Sequence, residues 1–311
     1  MKNNISVIIP CYNSEKTLAE LVIRITVVLN TSLHEIILIN DASLDNTWPA
    51  IQEIVKTQNK VKGINLMRNF GQHSALLCGL NYVSGEVIVT MDDDLQNPPE
   101  EIFKLVNLLE SDENTDAVIG IPKKAKQSFI KRLGSKFLNH VSSKILDKPK
   151  DLKVSSFRAL RRSLVDEMKT NQTTNPAFSS ILLNYTRNVK NVEVQHAKRT
   201  YGNSGYGMGK SVKLFLNAVL NYSTLPLKIV SNIGIIASVA GFGLAIFYLI
   251  KYFIGNITVP GWTTIIVLLL FFFGLILFSI GIIGEYLIRI ISEVNHTRQY
   301  VIKDKVGFDD V

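Results

Sequence analysis

Cysteine is nearly absent. Cys11 and Cys78 are the two in 311 residues, both in apolar surroundings and without CxxC spacing. That excludes a disulfide-built scaffold and a thiolate metal site, and predicts two reduced core residues of a cytoplasmic protein. The five histidines are scattered without metal-ligand spacing, so no zinc centre is assigned. The chain has no GxGxxG and no GxxxxGK[ST], which excludes a dinucleotide fingerprint and a P-loop. It has no recognition motif for nucleic acid, so the formal charge of +8 calls for a different partner. No signal peptide is expected, because the apolar stretch ISVIIP after Met1 and Lys2 is too short for an h-region.

Charge is missing altogether from two long runs, 229–250 and 262–283. Each is about 20 residues, the length that spans a bilayer, and both are apolar on every face, unlike a core helix. They predict a C-terminal two-helix transmembrane hairpin. Lys210, Lys213 and Lys228 precede the first run, and Arg289, Arg298, Lys303 and Lys305 follow the second. The connecting loop carries only Lys251. By the positive-inside rule both termini are cytoplasmic, with a tail over 289–311.

The first 120 residues alternate strand and helix. ISVIIP, EIILIN, GINLM and EVIVTMDDD read as strands, and helical patterns follow each of them. This order predicts an α/β fold with a mostly parallel sheet covered on both faces. In such sheets ligands bind beyond the carboxyl ends of the strands. The polar residues fall there: Tyr12 and Asn13, then Asp41, then Arg68, then Asp92, Asp93 and Asp94.

The stretch MDDDLQNPPE, residues 91–100, concentrates the chemistry. Asn97 as N-cap, Pro98 in the first turn and Glu100 three residues on predict a capping box. A cap does not account for the three carboxylates before it. Asp92 and Asp94 are two apart on an extended chain and so point the same way. Paired carboxylates without histidine or cysteine suit a hard cation, Mg2+ or Mn2+, whose shell is completed by phosphate oxygens. With Asp41 suited to a base or ribose, a nucleoside diphosphate held through a metal is the expected ligand.

VIIPCYNSEKTL, INDASLDNT, RNFGQHSALLCGL and MDDDLQNPPEE resemble the successive signatures of glycosyltransferase family 2, with its GT-A fold. FRALRRSLVDEM, VQHAKRTYGNSGY, LPLK and GEYLIRI extend the likeness to its membrane-bound polyprenyl-phosphate sugar transferases. The resemblance implies a GT-A domain over 1–227, a membrane hairpin over 228–288, and transfer of a sugar from a nucleotide-sugar donor to a polyprenyl (undecaprenyl) phosphate. It implies that Pro10, Tyr12 and Asp41 line the nucleoside, and that Asp92, Asp93 and Asp94 form the DxD-type element. Asp94 and Gln96, with Asp92, would hold the metal, and Arg199 would meet the diphosphate. It also suggests a homo-oligomer, a tetramer. Departures are visible: Ser14 where a glutamate is frequent, Pro122 for an arginine, Gly205 for a lysine, and Ser155–Ser156 for Gly–Asp.

Between 123 and 147 seven basic residues face almost no acid, while Phe129, Leu133, Phe137, Val141 and Ile145 recur every four positions. Beside a membrane hairpin this predicts an amphipathic helix in the headgroup layer, and 208–223 is a second candidate. A domain held against lipid suits a lipid phosphate as acceptor. Such a phosphate is already ionised near neutral pH, so no side-chain base is required, and Ser155 or Ser156 should matter only for packing. The alternatives are another lipid acceptor such as diacylglycerol, or a non-catalytic membrane scaffold.

Overall fold

The structure is a computed structural model that describes residues 4–123, 152–171, 173, 177–197, 262–294 and 298–308, with isolated helical positions between 232 and 254. The chain forms two compact units, Met1–Gly205 with His296–Val311, and Tyr206–Asn295.

In the first unit strand and helix alternate as expected: β1 (Ile5–Cys11), α1 (Leu18–Leu29), β2 (Leu33–Asn40), α2 (Thr47–Thr57), β3 (Val61–Leu66), α3 (Gln72–Leu80), β4 (Val87–Thr90) and α4 (Ile102–Glu110). Then come β5 (Ala117–Pro122), β6 (Arg158–Arg161), α5 (Arg162–Met168), α6 (Phe178–Tyr185) and β7 (Val189–Val194). The last strand is β8 (Ile302–Val306). The eight strands form one sheet in the order β7-β5-β6-β4-β1-β2-β3-β8. The run β4-β1-β2-β3 is parallel, whereas β6 and β8 enter antiparallel.

Strand periodicity divides the core into two layers. Val7, Ile9, Ile36 and Leu38 pack with α1, α2 and α4 on one face. Ile8, Ile37 and Ile39 pack with α3, α5 and α6 on the other. Near-continuous apolar strands are what a doubly covered parallel sheet requires. α3 lies flush on the sheet because Gly79 has no side chain. A Cβ there would stand 2.5 Å from Ile8 Cγ2 and 3.0 Å from Ile39 Cδ1. Cys11 and Cys78 are free and buried, as the sequence predicts.

Two features depart from the sequence reading, and a third lies largely outside the described residues. Residues 97–101 do not form a capping box: a 3-10 turn, Pro99–Glu101, precedes α4 without a side-chain cap. Glu100 instead accepts from Arg24 of α1, with Nη2 at 2.8 Å. The segment assigned to a tail supplies β8, which pairs with β3. The hairpin is described only in part. Among the described residues of the second unit no helix is long and apolar enough to cross a membrane. The backbone there is one continuous 33-residue helix, Trp262–Val294. The run 229–250 and the proposed interfacial helices, 123–147 and 208–223, lie largely or wholly outside the described residues.

At the amino end of the sheet, Glu35 of β2 is 2 % exposed yet fully partnered. Its Oε1 accepts from Ser6 Oγ at 2.9 Å and from Ser84 N and Oγ at 2.7 and 2.8 Å. Lys62 Nζ reaches Oε2 at 2.8 Å. Burial pushes its carboxyl up, but these donors outweigh that and hold it below the ordinary 4.5. Glu35→Ala is expected to cost about 3 kcal/mol, the low end for a broken buried pair, since Lys62 can turn to solvent. A lowered carboxylate stabilises fully above its unfolded value and loses that contribution as pH falls through its folded value. Thermal unfolding of Glu35→Gln should therefore show a deficit at pH 7 that narrows below about pH 4.

Candidate active site

Strand order reverses between β1 and β4, and their carboxyl ends open a crevice at that switch point. Pro10 explains the opening. β1 pairs with β4 only as far as Ile8 opposite Thr90, but with β2 as far as Cys11 opposite Asn40. After Met91 N donates to Ile8 O, the next rung would need an N–H at position 10, and proline has none. The strands part there, and the segments after each line the gap.

The acidic triplet leaves β4 into this gap, and its three side chains go to different neighbours. Asp92 accepts from Gln72 Nε2, the first residue of α3, at 2.6 Å, and from Ser156 Oγ. Asp93 accepts from Tyr12 N at 3.1 Å and from Ser14 Oγ. Asp94 accepts from Gln96 N at 3.1 Å across a turn in which Leu95 is left-handed, at φ 60°. Burial raises the Asp92 and Asp93 carboxyls, the latter to about 6. The hydrogen bonds to Ser156 and Ser14 act against that rise.

A counter-charge lies below. Arg158 of β6 sits opposite Thr90 and is 3 % exposed, its guanidinium 4.7 Å from the Phe178 ring centre. Its Nη2 donates to Ser179 Oγ at 2.9 Å, while Nε and Nη1 have no partner among the described residues. Burial draws it down to about 10, and Asp92 opposes that. Sequence reading missed this residue, although a cation was called for by three adjacent carboxylates.

The remaining expected residues are placed as follows. Pro10 is buried in β1 and Tyr12 is 46 % exposed at the rim. Asp41 is buried, and its oxygens accept from Phe70 N at 2.7 Å and Gly71 N at 2.8 Å, fixing the start of α3 where Gly71 is left-handed. Burial raises its carboxyl despite those bonds. Arg199 lies outside the described residues, but Ala197 N donates to Gln96 O at 2.9 Å, so the approach to it is tied to the acidic turn.

The donor chemistry fits a hard divalent cation. The polar ends here are carboxylates, amides and hydroxyls, with no soft ligand, and each Asp92 oxygen accepts a single hydrogen bond among the described residues. Among the described residues no three acidic, histidine or cysteine side chains converge on one point. A metal there would take one or two carboxylates and fill its shell from phosphate and water.

A model of the family described as Glycosyl transferase family 2 matches residues 6–169. The chain belongs to glycosyltransferase family 2. It is 35% identical over 313 residues to the undecaprenyl-phosphate 4-deoxy-4-formamido-L-arabinose transferase of Proteus mirabilis (strain HI4320), covering 98% of this chain and 94% of that one. The fold is also that of glucosyl-3-phosphoglycerate synthase from Mycobacterium tuberculosis. Its complex with Mn2+, UDP-glucose and phosphoglyceric acid matches with a TM-score of 0.50 at 18% identity, covering 70% of this chain and 79% of that one. The complex with Mn2+, UDP and phosphoglyceric acid matches equally, 0.50 at 17%, over 70% and 76%. A family 2 enzyme with a GT-A type α/β fold is thus established.

The two serines before Phe157 divide in a way the sequence did not anticipate. Ser155 Oγ donates to Gly120 O at 2.6 Å and serves the backbone. Ser156 Oγ donates to Asp92, so it orients a carboxylate of the acidic element. Were Asp92 to hold a metal, Ser156→Ala is expected to lower transfer about tenfold, the usual loss when a ligand's support is removed. Ser155→Ala should stay within about twofold. Initial-rate measurements on the two purified variants check this.

Proposed function

We propose that this glycosyltransferase moves a sugar, with inversion, from a nucleotide-sugar donor to undecaprenyl phosphate at the cytoplasmic membrane face. The observation that carries the reading is the match to the Proteus mirabilis enzyme, which extends through the crevice and the C-terminal third. Tyr12 and Asp41 would meet the nucleoside, and Arg199 the diphosphate. Asp92 and Asp94 with Gln96 would hold Mg2+ or Mn2+, which supplies charge stabilisation for the departing diphosphate. Asp93 would brace the segment after β1.

The chain's own residues supply positioning rather than proton transfer. No acid precedes Phe157, and the two serines there are engaged with Gly120 and Asp92. A phosphate monoester has a second pKa of about 6 and arrives as an anion, so it attacks without a base. Orientation of two bound reactants then accounts for much of the acceleration. An alcohol acceptor would need a base at this place. The decisive comparison offers undecaprenyl phosphate, undecaprenol and diacylglycerol with the same nucleotide sugar. Transfer is expected to the phosphate alone, and equal transfer to either alcohol defeats the reading.

Membrane attachment belongs to the same proposal. The helix Trp262–Val294 turns Phe273, Phe278 and Ile288 outward, each more than half exposed. Exposed apolar surface of this extent calls for a covering, and hydrocarbon provides one. With the basic flanks of 229–250 and 262–283, a hairpin with both termini in the cytoplasm follows. Reporter fusions at Met1 and Val311 should signal cytoplasm and an insertion at Asn256 the opposite side. Three signals on one side exclude the hairpin.

A further inference from the structure

β8 does more than cover an edge. The sheet register places Cys11 of β1 opposite Asn40 of β2, Asn40 opposite Asn65 of β3, and Asn65 opposite Asp304 of β8. Asn40 and Asn65 are 2 % and 6 % exposed. Unpartnered amides at that depth would be costly. Here they bond to each other in a row. Asn65 Nδ2 donates to Asp304 Oδ2 at 3.2 Å, and Asn40 Nδ2 donates to Asn65 Oδ1 at 2.8 Å. Asn40 Oδ1 accepts from Ser43 Oγ at 2.6 Å and Ser43 N at 3.3 Å. Ser43 Oγ in turn accepts from Asn13 N at 3.0 Å, and Asn13 Oδ1 accepts from Leu44 N at 2.9 Å.

The row ends at two left-handed positions. Asn13, after β1, and Ala42, after β2, are both left-handed, at φ 54° and φ 51°. Such a conformation is costly for an alanine and persists only when its surroundings fix it. Tyr12, which precedes Asn13, also donates its N–H to Asp93. The geometry of the loop at the crevice is therefore set from two sides, by the acidic element and by the polar row.

We infer that Asp304, Asn65, Asn40 and Ser43 are positioning residues for the donor loop, so that the strand after the long helix sets the affinity for the nucleotide. The inference rests on the crevice being a donor site, as proposed above. None of the four needs to touch the donor. They hold Tyr12 and Asn13 where a nucleoside can meet them, and they act on binding rather than turnover.

The test uses the full-length detergent-solubilised protein and the variants Asn65→Leu, Asp304→Ala, Asp304→Asn and Lys303→Ala. Hydrogen–deuterium exchange reads the row directly, because the amides of Asn13, Ser43 and Leu44 are the ones it protects. Asn65→Leu should speed exchange over residues 12–14 and 42–45 about tenfold. Asp304→Ala should do so about threefold, within the range of one lost hydrogen bond. Asp304→Asn keeps an acceptor and should restore protection, and Lys303→Ala should change nothing. The KM for the nucleotide sugar should rise by the same factors with kcat within twofold. Unchanged exchange at both loops in Asn65→Leu, with β3 still protected, overturns the inference. So does a loss confined to kcat. If Asn65→Leu fails to fold, Asp304→Ala against Asp304→Asn decides: equal exchange in the two overturns it. Titration of the wild type with Mn2+ and UDP, GDP, dTDP or CMP judges the donor-site reading separately, since the exchange result stands without any ligand.

Discussion

Asp92, Asp93 and Asp94 follow one another off the end of a buried strand, where three like charges crowd together. The molecule meets that repulsion by separating the three. One carboxylate is held by α3 and the segment before β6, one by the segment after β1, and one by its own turn. Arg158 lies beneath as the buried cation. The same contacts draw the elements around β4 onto one point, so the acidic element both needs the crevice and assembles it. An Asp92 freed from Gln72 and Ser156 would leave α3 and β6 without their shared anchor at the site.

Much of this was legible in the residues. A mostly parallel sheet covered on both faces followed from apolar runs of strand length separated by helical periods. Polar residues at four strand ends located the crevice, because side chains there face neither helical layer. Pro10 was expected to line the nucleoside. Its register shows the further reason that a proline at this position stops the ladder and opens the gap.

What was not legible depends on contacts between distant positions. β6, β7 and β8 are short or carry charge, and the sheet recruits them by backbone pairing rather than by their own pattern. KDK at 303–305 reads as solvated tail until β3 is seen to need a neighbour. Glu100 has the spacing of a capping box, but Arg24 of α1 outcompetes the backbone for it. Ser156 was expected to matter only for packing, because sequence spacing cannot show that its hydroxyl meets Asp92. Asn40 and Asn65 had no visible reason to interrupt apolar strands. A pair 25 residues apart becomes meaningful only once the register aligns it.

β8 has a bearing on biogenesis as well. The bond between Asn65 and Asp304 joins positions 239 residues apart. During synthesis the amino-terminal sheet can form early, with β3 as a raw edge of unpaired N–H and C=O groups. That edge stays open while the ribosome makes the whole second unit, and closes only once β8, Ile302–Val306, emerges. A nascent chain stalled or cleaved near residue 295 would carry an unfinished sheet with a sticky border, at the place where a quality-control protease would find it.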